Sequence, residues 1–347
     1  KEVFLNIDFR LKNAEPLLTA GQVVAYAQLP VVTKQACEGD CSKMLAEGHG
    51  KKKMKLAAKK DNVIAVTTPN LTFKLDRTTG LISEYAYNGK SMLGEGGTLK
   101  PNFWRAPTDN DMGANFQKKF KVWKNPQMNL KNIDVKKDKK ANTVTILTSF
   151  DMPEVQGQMD ITYVVFANTG AVKVTEDFKA TEGAKVSDMF RFGMLMQMPY
   201  TMEKSNYYGR GPIENYSDRK DCMRIGVYTD DADNQYFPYI RPQESGTKSD
   251  IRWWKQTDAT GLGLQVKSCT PFYASAIHFD TEELDDGDDK EQRHSFDLKK
   301  SKFTNLFLDS AHMGVGGENS WGAWPLEKYR VHYGNKTFTF TLIPQGK

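Results

Sequence analysis

Apolar and polar residues alternate with a period of two through most of this sequence. Apolar side chains occupy every second position from Val3 to Phe9, and the pattern returns at residues 21–29. Because successive side chains of a β-strand point to opposite faces, this alternation predicts strands with one face toward a core. Between residues 30 and 60 the alternation stops and Cys, Gly, Lys and Glu take over, which predicts a linker or a long exposed connection.

Compact turns separate many of the later apolar runs. Asn-Gly at 88–89 suits a two-residue hairpin, because both residues accept a positive φ. Residues 168–170 (Asn-Thr-Gly) lie between two further runs, and residues 334–335 (Gly-Asn) separate the runs 331–333 and 337–342. Successive hairpins with few helical windows predict an all-β fold, built as a large antiparallel sandwich.

One short helix interrupts the strands. Phe116, Phe120 and Trp123 fall at i, i+4 and i+7, which is the spacing of one helix face. Pro126 follows and ends the pattern, because proline does not continue a helix. The sequence therefore predicts a short helix in an otherwise β-rich chain.

Composition and charge narrow the class of protein. The chain has 347 residues, of which 39% are hydrophobic, enough apolar side chain to bury a core. Lys and Arg number 48 against 43 Asp and Glu, and both signs are spread along the chain, so no basic stripe predicts nucleic-acid binding. No apolar run reaches the roughly 18 residues of a membrane span, which predicts a soluble protein. The sequence leaves its compartment open between the cytoplasm and the periplasm.

Two features bear on the origin and compartment of the protein. The chain starts at a lysine, without methionine or signal peptide, so we expect it to be part of a longer polypeptide.

Its four cysteines are too few for a disulfide framework. Cys37 and Cys41 lie close together and His49 follows, whereas Cys222 and Cys269 stand far away. Free thiols are the expectation, with a local disulfide or a zinc site as the alternatives.

Three loop segments combine glycine, aromatic and charged residues in a way that a core does not require. They are residues 102–113, 208–219 and 312–321, named here the first, second and third loop segments. Glycine lets the backbone approach a partner closely, and carboxylate and guanidinium groups offer bidentate hydrogen bonds. The composition of these segments therefore predicts either ligand binding or tight attachment of the loops to the sandwich.

For the charged residues of these segments, attachment is the favoured interpretation. Buried ion pairs would join Arg105 to Asp109 or Asp111, and Arg219 to Asp218. Such pairs would tie the loops to the sandwich without touching a ligand. Ligand binding by the same side chains is the alternative.

Trp321 is the strongest candidate for ligand contact. An indole in a glycine-rich polar loop offers a flat apolar face, on which the C–H face of a sugar ring can stack.

Glu214, Glu244 and Glu318 lie in loops, but sequence does not give the separation that paired catalytic carboxylates require. The run 313–317 lacks the Lys-Ser/Thr of a phosphate loop, and no metal ligands are predicted.

Four separated segments resemble the C-terminal portion of family 2 glycoside hydrolases, the large bacterial β-galactosidases. The matching segments are 103–113 (FWRAPTDNDMG), 209–219 (GRGPIENYSDR), 239–246 (YIRPQESG) and 312–321 (HMGVGGENSW). They occur in the order of that family, and the resemblance covers about residues 55–347.

The resemblance implies a domain organisation. Residues 55–347 would form the last domain of that family, a large antiparallel supersandwich similar to galactose mutarotases. Residues 1–33 resemble the closing strands of the immunoglobulin-like domain that precedes it, and this domain is incomplete here. Residues 34–54 would be the linker between them.

The resemblance also implies roles for particular residues. In the family, a barrel domain supplies the acid/base and nucleophile glutamates and a magnesium site, so this chain is expected to contain no catalytic residue and no cofactor. Trp321 would form a wall of the active site and stack on the galactoside. Gly113 would be the hinge of a mobile loop beside the active-site mouth, with Asn115 in that loop. The barrel domain of the same polypeptide would be the partner, and a homo-oligomer is compatible with this interpretation.

The leading hypothesis is therefore the C-terminal region of a β-galactosidase, which is inactive alone and completes an active site formed elsewhere. An autonomous carbohydrate-binding module is the alternative, and calorimetry of the isolated chain with galactose and lactose separates the two. An aldose epimerase is a third hypothesis, which polarimetry tests.

Overall fold

The structure, a computed structural model, describes residues 2–33, 52–58, 62–289, 293–317, 319 and 322–346. The chain divides into two compact units, Lys1–Cys41 and Ser42–Lys347. Most of the predicted linker, with Cys37 and Cys41, lies outside the described residues. The predicted domain limits and the state of these two thiols therefore stay predictions.

The described part of the first unit is an antiparallel hairpin. Its strands are β1 (Glu2–Arg10) and β2 (Val23–Thr33), where the alternation predicts them. A lone hairpin has no second layer against which an apolar face can be buried. Accordingly, Leu5 and Phe9 are 51% and 59% exposed. The resemblance of residues 1–33 to an immunoglobulin-like domain stays a prediction.

The described strands of the second unit form two antiparallel sheets. The smaller sheet has five strands in chain order: β3 (Lys55–Ala57), β4 (Val63–Thr67), β5 (Leu71–Asp76), β6 (Ile82–Tyr87) and β7 (Lys90–Ser91). The larger sheet has twelve: β8 (Leu99–Asn102), β9 (Asn129–Asp138), β10 (Thr143–Met152), β11 (Gly157–Phe166), β12 (Val172–Ala180), β13 (Arg191–Pro199), β14 (Lys204–Gly211), β15 (Arg224–Asp231), β16 (Lys248–Thr257), β17 (Gly263–Ile277), β18 (Phe303–His312) and β19 (Lys336–Gln345).

The larger sheet is not a simple meander. Its main path runs in the order β15-β14-β16-β17-β19-β12-β11-β10-β9, so the last strand of the chain lies between β17 and β12. Beside this path, β13 pairs with β8 and β18, and β18 also pairs with β17. The strands β8, β14 and β18 lead into the first, second and third loop segments, respectively.

Helices are short in the described part of the chain. The α-helices are α1 (Asp109–Gly113), α2 (Phe116–Lys119), α3 (Ala232–Gln235) and α4 (Thr281–Leu284). The 3₁₀ turns are Lys121–Trp123, Pro153–Val155, Ser295–Asp297 and Glu327–Tyr329. The predicted helix is confirmed as α2 with the 3₁₀ turn that follows it. None of the described helices has the length and apolar character needed to cross a membrane.

The apolar faces of the two sheets share one core. In β10, buried and half-buried positions alternate as a strand with one covered face requires. Phe73 of the smaller sheet packs on Tyr163 of the larger sheet, with ring centroids 6.1 Å apart. The predicted all-β antiparallel sandwich is therefore confirmed.

Two predicted hairpins are confirmed and one is wrong. Asn88 and Gly89 have φ values of 49° and 75° between β6 and β7, and residues 168–170 join β11 to β12. The run 331–333 does not pair with β19; Val331 instead forms an isolated bridge with Met189. A run of three apolar residues does not determine which strand it pairs with. Both edges of β19 are already paired, with β12 and with β17, so no edge is left for residues 331–333.

A carboxyl group lies inside this core. Glu176 on β12 is fully buried, and neither of its carboxylate oxygens has a hydrogen-bond partner among the described residues. Burial, with a smaller contribution from the charge of Asp309, raises the pKa of Glu176 well above its usual value. The folded protein therefore retains this proton at pH values where the unfolded chain has released it.

We expect Glu176→Met to stabilise the protein at pH 7 by about 1–3 kcal/mol, because a carboxyl without partners is replaced by an apolar group. The folded pKa is raised, so wild-type stability falls as the pH rises above the unfolded value of 4.5. The difference between the two proteins should therefore be smallest near pH 4.5 and grow toward pH 8 in urea unfolding. Glu84→Met is the control, since Glu84 lies half-buried at the surface of β6 and pairs with Lys74. Equal shifts for both variants would contradict the interpretation.

Candidate functional site

Loops from four parts of the chain surround one cavity of about 200 Å³. Its walls come from the three loop segments and from residues 239–246: Thr108, Asp109, Asn110, Tyr216, Arg219, Tyr239, Gln243, Glu244 and Val315. The sequence marks each of these segments separately, and the fold brings all four together. This cavity is therefore the candidate functional site.

The strand order explains why the first and third loop segments meet. Both β8 and β18 pair antiparallel with β13, so they run in the same direction on its two sides. The first segment follows the end of β8, and the third begins at the last residue of β18. Both segments therefore leave the sheet at the same end.

Arg105 joins these two segments beneath the cavity. Its guanidinium is fully buried and donates from Nε and Nη2 to both carboxylate oxygens of Asp111, at 3.0 and 2.8 Å. It also donates to the backbone oxygens of Met313, at 2.7 Å, and of Gly314, at 2.9 Å. A buried guanidinium requires such partners, because an unpaired charge inside a protein is strongly unfavourable.

Asp111 also fixes the start of α1. The Thr108 hydroxyl accepts a hydrogen bond from the Asp111 backbone N–H at 3.2 Å, and the Asp111 carboxylate accepts from the Thr108 N–H at 2.9 Å. This reciprocal pair is a capping box. Helix α1 then ends at Gly113, which is exposed, and Asn115 follows in the left-handed region with φ 62°.

Asp218 holds the third loop segment from the other side. Its carboxylate oxygens accept from the backbone N–H groups of Val315, at 3.1 Å, and Gly316, at 2.9 Å. A side chain at Gly314 would place its Cβ 2.4 Å from an Asp218 oxygen, so glycine is required there. Asn110 of the first segment adds a hydrogen bond to the Val315 oxygen at 3.0 Å.

One sequence-based pairing is confirmed and one is wrong: Arg105 pairs with Asp111, one of its two predicted partners, whereas Arg219 does not pair with Asp218. Arg219 pairs with Glu214 at 2.6 Å, because the carboxylate of Asp218 is turned toward the third loop segment. Asp109 pairs with Arg241 at 3.0 Å, whereas Arg105 takes Asp111. Arg241 belongs to the 239–246 segment, so this pair also crosses the cavity rim.

Trp321 lies outside the described residues, and its placement stays a prediction. Its neighbour Gly322 lies against Gly113: a Cβ on Gly322 would be 2.7 Å from the Gly113 oxygen. Further along, the Trp324 ring packs edge-on against the ring of Phe116, with centroids 4.6 Å apart. The residues that follow the third segment, Gly322 and Trp324, therefore lie against Gly113 and the stretch after it.

Trp324 is a residue that sequence reasoning missed. Its indole contacts Phe116 and Phe120, and the guanidinium of Arg330 lies 4.6 Å from its ring centroid. The sequence signal was present, because a second tryptophan follows Trp321 within one turn-rich segment. Only the fold shows that this second ring anchors the segment to α2.

A second charged layer lies below the cavity. Arg191 is buried and pairs with Asp309 at 2.6 Å and with Glu244 at 3.3 Å. The Glu244 carboxylate also accepts from the Thr247 hydroxyl at 2.8 Å. Burial raises the pKa of Asp309 to about 6, although Arg191 favours the charged form. This layer holds Glu244 in place at the cavity floor.

His312 lies in the same layer without a hydrogen bond to either ring nitrogen from any described residue. Burial and the positive charges of Arg191 and Arg105 hold its pKa well below the usual range. The ring is therefore neutral at neutral pH. It packs edge-on against Tyr216, with centroids 5.3 Å apart, and so supports a cavity wall.

Metal binding receives no support from the side chains that the structure describes. Among them, no group of three or more His, Cys, Asp or Glu side chains is placed to hold an ion. The carboxylates at the cavity are engaged by arginines, as in the pairs of Asp109 with Arg241 and of Glu244 with Arg191. These described side chains do not fit a magnesium site.

Comparisons with known proteins identify the family of the chain. A family model described as the β-galactosidase small chain matches residues 67–342. The chain is thus an antiparallel β-sandwich protein of a glycosidase family. More specifically, it belongs to the β-galactosidase small-chain family.

Two relatives show the extent of the match. A β-galactosidase of Priestia megaterium is 28% identical over 345 residues, which cover 99% of this chain and 32% of that protein. A β-galactosidase of Lactobacillus delbrueckii subsp. bulgaricus is 33% identical over 222 residues, which cover 63% of this chain and 21% of that protein. The chain thus spans a third or less of the length of these relatives.

Solved structures give a weaker likeness. A putative aldose 1-epimerase of Escherichia coli K12 has 8% identity and a TM-score of 0.42, covering 84% of this chain and 99% of that one. A galactose mutarotase-related enzyme of Lactobacillus acidophilus has 8% identity and a TM-score of 0.43, covering 85% and 98%. Similarities of this size carry no functional conclusion.

We expect Arg105→Met to lower the free energy of unfolding by about 3–5 kcal/mol, because it leaves the buried Asp111 carboxylate without its partner. Arg105→Lys keeps the charge but loses the bidentate geometry, so an intermediate loss is expected. Arg219→Met is the control, because this half-exposed pair contributes about 0–1 kcal/mol. Urea unfolding of the four proteins measures these differences. A loss for Arg219→Met as large as that for Arg105→Met would refute the assignment.

Proposed function

We propose that this chain is the C-terminal region of a β-galactosidase, which hydrolyses terminal β-D-galactosides. The observation that carries the proposal is the match of nearly the whole chain to about a third of a β-galactosidase. The catalytic glutamates and a magnesium ion lie, in this proposal, in a barrel domain elsewhere in the polypeptide. The chain alone is then inactive.

In this proposal the third loop segment presents Trp321 as one wall of the active site. The described contacts of Arg105, Asp218 and Asn110 with residues 313–315 support it, because they fix the backbone that leads to Trp321. An indole held in this way buries one face of the galactoside and excludes water from it. The chain then contributes binding and water exclusion, and proton transfer belongs to the barrel.

The stretch from Gly113 to Asn115 is proposed as the mobile loop beside the active-site mouth. Gly113 ends α1, is exposed and lies against Gly322, next to Trp321 in sequence. Asn115 is exposed in a left-handed conformation. In this proposal it contacts the sugar when the loop closes. A change at this hinge would thus alter the entrance and the stacking wall together.

The apolar face of the first unit supports the same proposal. Leu5 and Phe9 are more than half exposed on the hairpin that forms the described part of this unit. In a longer polypeptide, the remaining strands of an immunoglobulin-like domain would cover this face. The names of the relatives favour this enzyme over an autonomous carbohydrate-binding module.

A chimera tests the proposal directly. In it, this chain replaces the matching part, 32% by length, of the Priestia megaterium enzyme. We expect the chimera to hydrolyse o-nitrophenyl β-D-galactoside, because the chain completes the active site. The isolated chain and the enzyme lacking its matching part should show no turnover. A folded but inactive chimera, or turnover by the isolated chain, would overturn the proposal.

Two neighbouring glycines test the role of the third loop segment in that chimera. Gly314→Ala places a Cβ 2.4 Å from Asp218, which must displace the loop, and we expect a loss in kcat/KM of about 10- to 100-fold. Gly316→Ala is the matched control, since its Cβ would lie 3.6 Å from the same carboxylate, an ordinary contact. Its kcat/KM should stay within about twofold. Equal kinetics for both variants would show that the loop position does not matter.

A further inference from the structure

We propose that Trp324 is a positioning residue, which holds the backbone around Trp321 against α2. The inference rests on the proposed function, because only there does Trp321 form a wall of the active site. It deepens that function by adding a residue that touches no substrate and acts through the segment that it holds. The contacts that carry it are made by described residues on both sides of Trp321.

The stretch of chain that contains Trp321 is closed at its base. The Gly314 N–H donates to the Tyr329 oxygen at 2.8 Å, so the two ends of the stretch 314–329 lie side by side. Trp321 is near the middle of this stretch in sequence. A compact loop with its ends together is ordered by the packing of its own side chains. The contacts inside the stretch therefore decide how firmly the backbone at Trp321 is held.

The chain comes together a second time inside this stretch. A Cβ on Gly317 would lie 2.4 Å from the Ala323 oxygen, so the backbone at these two positions is in direct contact. The two residues between Trp321 and Trp324 are a glycine and an alanine, which have little or no side chain to pack. Trp324 is thus the first large side chain after Trp321 that can fasten this contact to the rest of the fold.

The Trp324 ring fastens it to α2. The ring meets the Phe116 ring edge-on, with centroids 4.6 Å apart, and the Phe120 ring at 5.9 Å. The two phenylalanine rings are buried and stacked on each other at 4.6 Å, so they form a fixed support. Helix α2 comes directly after the proposed mobile loop at Gly113–Asn115. One ring therefore connects the proposed stacking wall to the proposed mobile loop.

A charged cluster holds Arg330 on the same ring. The guanidinium lies 4.6 Å from the Trp324 centroid, donates from Nε to Asp188 at 2.7 Å and donates from Nη1 to Glu327 at 2.5 Å. His332 contacts the same two carboxylates, at 3.0 Å from Asp188 and 2.9 Å from Glu327. A guanidinium that two carboxylates already orient loses less freedom when it stacks on an indole.

This cluster is attached to the larger sheet. Asp188 is 11% exposed, and the next residue, Met189, donates its N–H to the Val331 oxygen at 3.0 Å. Strand β13 begins two residues later. Trp324 therefore contacts two fixed parts of the fold, α2 and the cluster before β13. Loss of its ring should free the backbone around Trp321 and leave the sheets intact.

Hydrogen exchange of the isolated chain tests the positioning. Trp324→Leu should speed exchange at least about fivefold in peptides from residues 314–323 and 113–120, because the ring no longer joins them. The peptides of β10 and β11 should keep their protection, which shows that the variant is folded. Trp324→Phe should restore slow exchange, since a phenyl ring keeps the packing on Phe116.

Kinetics of the chimera measure the consequence for the proposed reaction. Trp324→Leu should raise KM about 5- to 10-fold and change kcat less than about twofold, because a loose wall weakens substrate and transition state alike. Arg330→Met should raise KM about two- to fivefold, since the ring stays and loses only its cation. A residue that only stabilised the fold would reduce the amount of active enzyme without a change in KM.

Trp253→Leu is the matched control. Trp253 is also half-buried, with the Lys255 Nζ 5.8 Å from its ring centroid, but it lies on β16. Its replacement should change neither KM nor the exchange of the two loop peptides. If Trp324→Leu loses the protection of β10 and β11 as well, Arg330→Met decides in its place.

The inference is overturned by unchanged exchange in the folded Trp324→Leu chain, by an unchanged KM of that variant in an active chimera, or by equal changes in Trp253→Leu. An inactive chimera without these substitutions overturns the proposed function instead. Exchange of the isolated chain then still decides whether Trp324 holds the loop.

Discussion

The buried guanidinium of Arg105 determines the arrangement of the loops around the cavity. Removing this charge from water is costly unless its donors are satisfied, and the chain satisfies them with Asp111 and with the backbone oxygens of Met313 and Gly314. The first partner lies six residues away, and the other two lie more than two hundred residues away. One side chain thus sets the distance between two segments that sequence separates widely.

The remaining contacts follow from that constraint. Once Arg105 fixes residues 313 and 314, the next two backbone N–H groups point toward Asp218, which accepts from both. Only glycine leaves room for this carboxylate at position 314. The glycine-rich composition of the third segment therefore reflects close approach of a carboxylate as well as flexibility.

The sequence predicts the sheets better than it predicts the partners of the loop charges. Alternation and turn chemistry are local, so they suffice for the strands and for the turn at Asn88 and Gly89. Arg219 pairs with Glu214 because the Asp218 carboxylate already accepts hydrogen bonds from the third loop segment. That contact depends on the tertiary structure. Local patterns mark the residues that carry charge but do not determine which of them meet.

The same reasoning explains why sequence analysis selected Trp321 and passed over Trp324. Trp321 stands out by composition, whereas Trp324 gains its importance only from the rings of α2 beneath it. Glycine-rich loops lose much conformational entropy when they are ordered. Here charged hydrogen bonds at the start of the third segment and aromatic packing of Trp324, just beyond it, offset that loss.

The charged side chains around the cavity thus form two layers, and only the upper layer is in contact with water. The charges that order the loops, Arg105 and Arg191, are buried, while Arg219 and Asp109 at the rim remain half exposed. Recognition of a polar ligand needs fixed positions and accessible hydrogen-bonding groups at once, and a single layer of side chains rarely provides both. Two layers provide both. The buried side chains of the lower layer hold the loops in fixed positions, and the side chains of the upper layer stay in contact with water.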